Sequence, residues 1–143
     1  MRVLRAMLLT SLTNEELVFY MFTEEGERFD QYSFLLFICN AIRKGFLVAG
    51  DILIMDNARI HGGNDSIECL SILAQVYGIT IIRLPTYSPE LNVCELVFSF
   101  MKCDIYRNGV PPGYSLKDAV KERLKEIDFI HMLNWYSKCI NRI

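Results

Sequence analysis

Long apolar runs, paired-cysteine motifs and a surplus of positive charge are all missing from this chain. The longest apolar stretch, around Phe34 to Cys39, is interrupted within a few positions by Asn40, Arg43 and Lys44. That is far short of the ~18 apolar residues a membrane-spanning helix needs. The start, Met1-Arg2-Val3-Leu4-Arg5, is positively charged, but no clean apolar stretch with a small-residue cleavage site follows it. The sequence therefore argues against a secreted or membrane protein. Five cysteines, Cys39, Cys69, Cys94, Cys103 and Cys139, are an odd number, and none are paired as C-x-x-C. This argues against a disulfide framework and a zinc knuckle, and predicts buried free thiols in a reducing compartment. The net charge of −2 lacks the basic excess that advertises a nucleic-acid binder.

The remaining composition suits a packed core. Of 143 residues, 52% are hydrophobic and 22% charged, which predicts one globular domain rather than disorder. A chain of this length buries roughly two-thirds of its unfolded surface. Charge is uneven: residues 1–101 sum to −5 and residues 102–143 to +3. An acidic body with a basic tail can hold metal in one part and touch phosphate with the other. A solvated helix face explains the same tail.

Val3 to Leu12 and Leu17 to Phe22 flank the polar turn Thr13-Asn14-Glu15-Glu16 and predict a β-hairpin. Helical spacing runs from Phe29 to Lys44 and stops at Gly45. Asp51 to Met55 is apolar on both faces, which predicts a central strand in a sheet covered on both sides. A helix over Ser66–Tyr77 and a strand over Ile79–Leu84 follow, then a proline-marked loop at Pro85–Glu90 and a helix from Asn92 to about Tyr106. Asn108 to Gly113 reads as a linker, ahead of two helices over Ser115–Ile127 and Phe129–Ile140. The order predicts a mixed α/β sheet with flanking helices. The domain reading is a core over residues 1–107, a linker over 108–114 and a helical tail over 115–143.

Two acids stand where chemistry is done. Asp56 directly follows a buried strand, so the sheet would fix its carboxylate at the crevice where strands stop. Asp-Asn after a strand is also ordinary turn chemistry. Glu95 sits in the first turn of the helix after Pro89. It also stands three residues after Asn92, and taken alone it is better explained by a capping box, at a worth of about 1 kcal/mol.

Taken together, the two segments are more specific. Asp56-Asn57-Ala58-Arg59-Ile60-His61 ends one strand. Leu84-Pro85-Thr86-Tyr87-Ser88-Pro89-Glu90-Leu91-Asn92-Val93-Cys94-Glu95 opens the later helix, with Phe98 three and Lys102 seven residues beyond Glu95. This pairing resembles the DDE transposases of the Tc1/mariner and bacterial IS630-like group. Their pattern is D-N-A-x-x-H followed by L-P-x-Y-S-P-x-L-N-P-x-E, then an aromatic and a lysine at those two places. Thirty-eight residues separate Asp56 from Glu95, close to that group's gap. Val93 replaces a proline whose place at a helix start is a preference.

The resemblance implies a ribonuclease-H-like core in which three carboxylates hold two Mg²⁺ (or Mn²⁺) ions roughly 3.5–4 Å apart for in-line attack on DNA. Hard oxygen ligands are what Mg²⁺ requires. Asp56 would be the second acid and Glu95 the third. Arg59, His61 and Lys102 would contact DNA, although surface or loop roles account for them too. Phe98 and Trp135 are expected to pack into the core. The first acid should follow the first core strand. Of Glu15, Glu16, Glu24, Glu25, Glu27, Asp30 and Asp51, the acids ahead of Asp56, none follows an apolar strand. The expectation is that the first strand and its Asp are missing, leaving the chain inactive alone. Its partners would be DNA and a second copy or a full-length transposase. Its location would be the nucleus in a eukaryote and the cytoplasm otherwise. Two alternatives stay open: a non-catalytic DNA-binding or interaction module derived from a transposase, and another α/β phosphoesterase using Asp56.

Overall fold

Two apolar runs around a polar turn build the first element pair. In the computed structural model, which describes residues 5–23, 29–56, 64–85 and 88–141, strands β1 (Ala6–Thr10) and β2 (Val18–Phe22) pair antiparallel, Ala6 opposite Phe22 and Thr10 opposite Val18. The turn is closed by the Ser11 N–H donating to the Leu17 carbonyl at 2.9 Å. Inside it, the Ser11 hydroxyl accepts from the Thr13 and Asn14 N–H groups at 3.2 and 3.1 Å. A serine that satisfies two loop donors explains why four polar residues turn here.

The remaining elements are α1 (Gln31–Arg43), β3 (Ile52–Met55), α2 (Asn64–Tyr77), β4 (Thr80–Arg83), α3 (Val93–Asn108), α4 (Leu116–Lys125) and α5 (Phe129–Ile140). The described residues thus form a mixed α/β protein with two small sheets, β1–β2 antiparallel and β3–β4 parallel. By contact the chain divides into two compact units, Gly26–Pro89 and Met1–Glu25 with Glu90–Ile143. None of the helices in the described residues is long and apolar enough to cross a membrane.

In the unit Gly26–Pro89, α1 starts at Asp30, whose carboxylate accepts from the Ser33 N–H at 2.8 Å and the Ser33 hydroxyl at 2.9 Å. The backbone bond, then the hydroxyl bond, hold the Asp30 carboxyl below its usual range. Helix α2 packs on α1 and on β4. Phe37, Ile38 and Ala41 of α1, Leu70 and Ala74 of α2, and Leu53 and Met55 of β3 are buried. Gly78 closes α2 at φ +72°, and a Cβ there would meet the Ala49 side chain at 3.3 Å, so both backbone conformation and space require glycine. The expectation of a sheet covered on both faces is corrected here. Ile52 and Ile54 remain 59% and 54% exposed, so burial alternates along β3 and one face is covered. Apolar residues on both faces record what a strand can bury; a two-stranded sheet provides cover for less.

The other unit has its own core. Val93, Val97 and Met101 of α3, Val120 and Leu124 of α4, Ile127, and Met132 and Cys139 of α5 form one buried cluster, with Leu8, Val18, Tyr20 and Phe22 of the hairpin packed against it. Phe98 and Trp135 pack there as expected. Phe100, His131 and Trp135 form a ring cluster with centroids 5.2 to 5.6 Å apart, and the Arg123 guanidinium sits 3.8 Å over Phe100. Asp128 caps α5 in a capping box with His131, accepting from its N–H at 2.8 Å. All five cysteines are free, but only Cys139 is buried; Cys39, Cys69 and Cys103 are exposed. The prediction of buried thiols therefore fails for three of them. Burial follows the helix face, and these three fall on the outer one.

Tyr136 ties α5 to the hairpin. Its hydroxyl donates to the Thr10 carbonyl at 3.1 Å and lies 2.9 Å from the Thr10 hydroxyl. Burial pushes the phenol up from its ordinary value of 10.0, more than the Thr10 bond lowers it. Because the folded value lies above the unfolded one, the associated stability is full below about pH 10 and is lost as pH rises through the folded value. Tyr136→Phe should cost about 1 kcal/mol at neutral pH and abolish this residue's share of the alkaline loss. Urea unfolding at neutral and alkaline pH measures both.

Candidate active site

Asp56 owes its position to the parallel ladder. Ile52 to Met55 pair in order with Thr80 to Arg83. At the entry, the Thr80 N–H donates to the Asp51 carbonyl at 3.0 Å; at the exit, the Leu84 N–H donates to the Met55 carbonyl at 2.8 Å. The residue before Asp56 is therefore still hydrogen-bonded to the neighbouring strand. Asp56 itself is half-buried at the carboxy-terminal end of the pair, the end at which open parallel sheets present ligand-binding groups.

Glu95 owes its position to a helix start. A 3₁₀ turn over Pro89–Leu91 leads to Asn92, whose side chain accepts from the Cys94 N–H at 3.0 Å. The Asn92 carbonyl accepts from the Glu95 N–H at 3.2 Å. Asn92 caps α3, as its sequence position implies. The capping box does not form, because the Glu95 carboxylate makes no return bond to Asn92. The cap closes one residue earlier, on Cys94, and the glutamate side chain stays exposed in the first turn, where the helix dipole favours a negative charge.

Lys102 lies on the same helix and is exposed. Seven residues make about two turns, so it shares the Glu95 face at a rise of ~10 Å. Glu95 and Lys102 belong to one compact unit and Asp56 to the other. Arg59 and His61 lie outside the described residues. Among the described residues no three His, Cys, Asp or Glu side chains form a group able to hold a metal ion. The same α3 face carries Tyr106, exposed to 84%. The sequence reading places the helix end there without giving the ring a task. Ser99, Lys102 and Tyr106 follow Glu95 by four, seven and eleven residues, spacings that return to one helix face.

If Glu95 is not part of the cap, cap and acid are separable. Asn92→Ala should cost about 1 kcal/mol of stability, whereas Glu95→Gln should change it by less than about 0.5 kcal/mol. Chemical denaturation of the two variants is the check.

No curated protein matches the chain. A family model described as DDE superfamily endonuclease matches residues 2–112, a span that takes in β1 through α3 and hence both Asp56 and Glu95. The matched span covers more than half of the sequence, and the chain belongs to the DDE superfamily endonucleases.

Proposed function

We propose that this chain is a Tc1/mariner-like member of its family with a ribonuclease-H-like core over residues 1–107, joined through 108–114 to a helical tail over 115–143. Its ancestral reaction is cation-dependent cleavage and transfer of DNA strands in transposition. Asp56 and Glu95 supply the ligands for Mg²⁺ or Mn²⁺, and Arg59, His61 and Lys102 contact the DNA. One observation carries this reading: Asp56 directly follows a parallel strand whose last carbonyl is still hydrogen-bonded at 2.8 Å, so its carboxylate starts from a fixed point.

The donor chemistry fits. Both groups are carboxylates, the hard oxygen donors that Mg²⁺ and Mn²⁺ prefer. Once bound, a cation pair supplies charge stabilisation to the attacking and leaving oxygens of a phosphodiester. The chain's own residues supply the rest. The β3–β4 ladder holds the backbone of Asp56 while its side chain meets a ligand. The exposed first turn of α3 presents Glu95 without surrendering a cap. Lys102, further along that face, offers a point charge to a phosphate oxygen. The number of donors is what limits the site. Neither β1 nor β2 ends on an acid, closing instead on Thr10 and Phe22. On this reading the chain brings two of the three acids, so that they hold the cations weakly and turnover by the chain alone is poor.

A second reading keeps the fold and drops the chemistry: a module that binds DNA or pairs with a full-length transposase. The net +3 of residues 102–143, a charge that can touch phosphate without chemistry, favours considering it. Titration with Mn²⁺ followed by paramagnetic resonance, alongside incubation with DNA, separates the two. Weak cation binding lost in Asp56→Ala and in Glu95→Gln is expected, with cleavage faint and abolished by chelation. Robust cutting that depends on Asp56 would overturn the two-acid reading. Salt-sensitive DNA retention with no cation binding would establish the second.

A further inference from the structure

We propose that the exposed stripe of α3 beginning at Glu95 continues as a DNA contact, with Tyr106 as a stacking platform for a base of the strand that Glu95 addresses. This deepens the nuclease reading above and rests on it.

The geometry is that of one continuous helix. At about 100° per residue, Glu95, Ser99, Lys102 and Tyr106 fall within a sector of roughly 60°. All four are exposed. Val93, Val97 and Met101, on the opposite arc, are buried at 8%, 0% and 4% exposure. The sector is chemically ordered along its length: an acid at the amino end, a small hydroxyl, a cation about 10 Å on, and an aromatic ring about 16 Å on. The Ser99 hydroxyl is turned back onto the Glu95 carbonyl at 3.0 Å, which leaves the space between acid and lysine low.

Folding does not account for Tyr106. At 84% it is the most exposed of the large hydrophobic side chains among the described residues. The other rings of α3, Phe98 and Phe100, are packed against the core. A helix that already has its apolar stripe gains nothing from a ring in water. Stacking on a nucleobase is a use that needs this exposure, and it tolerates any sequence because every base has a π-face.

Charge favours the same partner. Lys102 stands one turn before the ring on the same face, and residues 102–143 carry a net +3. The nearest acid, Asp104, lies about 180° away on the helix, where it accepts from the Asn108 amide at 3.0 Å. A ring one turn from a cation, on the face that starts at the proposed cation ligand, matches a polyanion with bases. The distance from Glu95 to Tyr106 corresponds to about five base steps of duplex, so Tyr106 would touch DNA flanking the site of cleavage.

The test is fluorescence anisotropy of the whole chain with labelled DNA carrying a duplex–single-strand junction, in chelator so that no cation contributes. Tyr106→Ala should weaken binding roughly tenfold and Tyr106→Phe less than about twofold. The dependence of log K on log salt should be unchanged in Tyr106→Ala and reduced in slope by about one in Lys102→Gln. Tyr32→Ala, which removes an exposed ring from α1, should bind like the unaltered chain. Circular dichroism confirms that each variant is folded. Equal binding by Tyr106→Ala, no retention of DNA at low salt, or a tenfold preference for RNA of the same sequence would each overturn the proposal. The two readings fail separately. Cation binding dependent on Asp56 and Glu95, together with an indifferent Tyr106, would remove the stacking platform and leave the nuclease site standing. A Tyr106 effect with no such cation binding would do the reverse.

Discussion

A carboxylate can hold a cation or position a phosphate only if the backbone beneath it does not yield, and in this protein the parallel pair β3–β4 fixes the backbone that leads into Asp56. Four register pairs lie between two flanking bonds, Thr80 N–H to Asp51 and Leu84 N–H to Met55. The strand is short, yet its last carbonyl is satisfied by the first residue beyond β4. The ladder therefore reaches the peptide that precedes the acid. Any change that frayed that end, a proline at Leu84 for instance, would remove the donor and release Asp56 from the sheet.

Helix α3 solves a different problem with the same economy. It is a core helix on one face and, in the proposed reading, a functional helix on the other. Val93, Val97 and Met101 face a cluster completed by α4, α5 and the hairpin, while Glu95, Ser99, Lys102 and Tyr106 face water. The separation works because the cap is made by Asn92 and Cys94 and not by Glu95. Had the glutamate closed a capping box, the same side chain would serve both the helix start and a ligand, and each would weaken the other. In α5 the capping box does form, between Asp128 and His131, and there its acid is committed to the helix.

Most of this organisation was legible in the residues because it follows from local periodicity and turn chemistry. The polar turn at Thr13–Glu16, the helix stops at Gly45 and Gly78, the cap at Asn92 and the breaks around Gly109 all constrain a few neighbouring residues, and each lies where the sequence implies. What could not be read depends on partners distant in sequence. Apolarity on both faces of Ile52–Met55 says nothing about how many strands and helices will be there to cover them. Cysteine is usually buried, but whether Cys39, Cys69 and Cys103 are depends on which side of a helix meets another element. The bond from Tyr136 to Thr10 joins residues 126 positions apart, and no pattern in either segment announces it.

The residues that carry the family resemblance and those that carry the fold are largely different sets. Val97 and Met132, fully buried at 0% exposure, would be interchangeable with other apolar side chains of similar volume at modest cost. They mark nothing about chemistry. Asp56, Glu95 and Lys102 are half-buried or exposed, and none is in the buried cores. Apolar spacing and caps do not by themselves call for an uncommitted glutamate in the first turn of α3 or a lysine two turns later. The proposed function rests on these positions and not on the core. The same reasoning extends to Tyr106. A side chain whose burial would be worth about 1.5–3 kcal/mol is held in water on the face that begins at Glu95, and the packing of α3 offers no compensation for leaving it there.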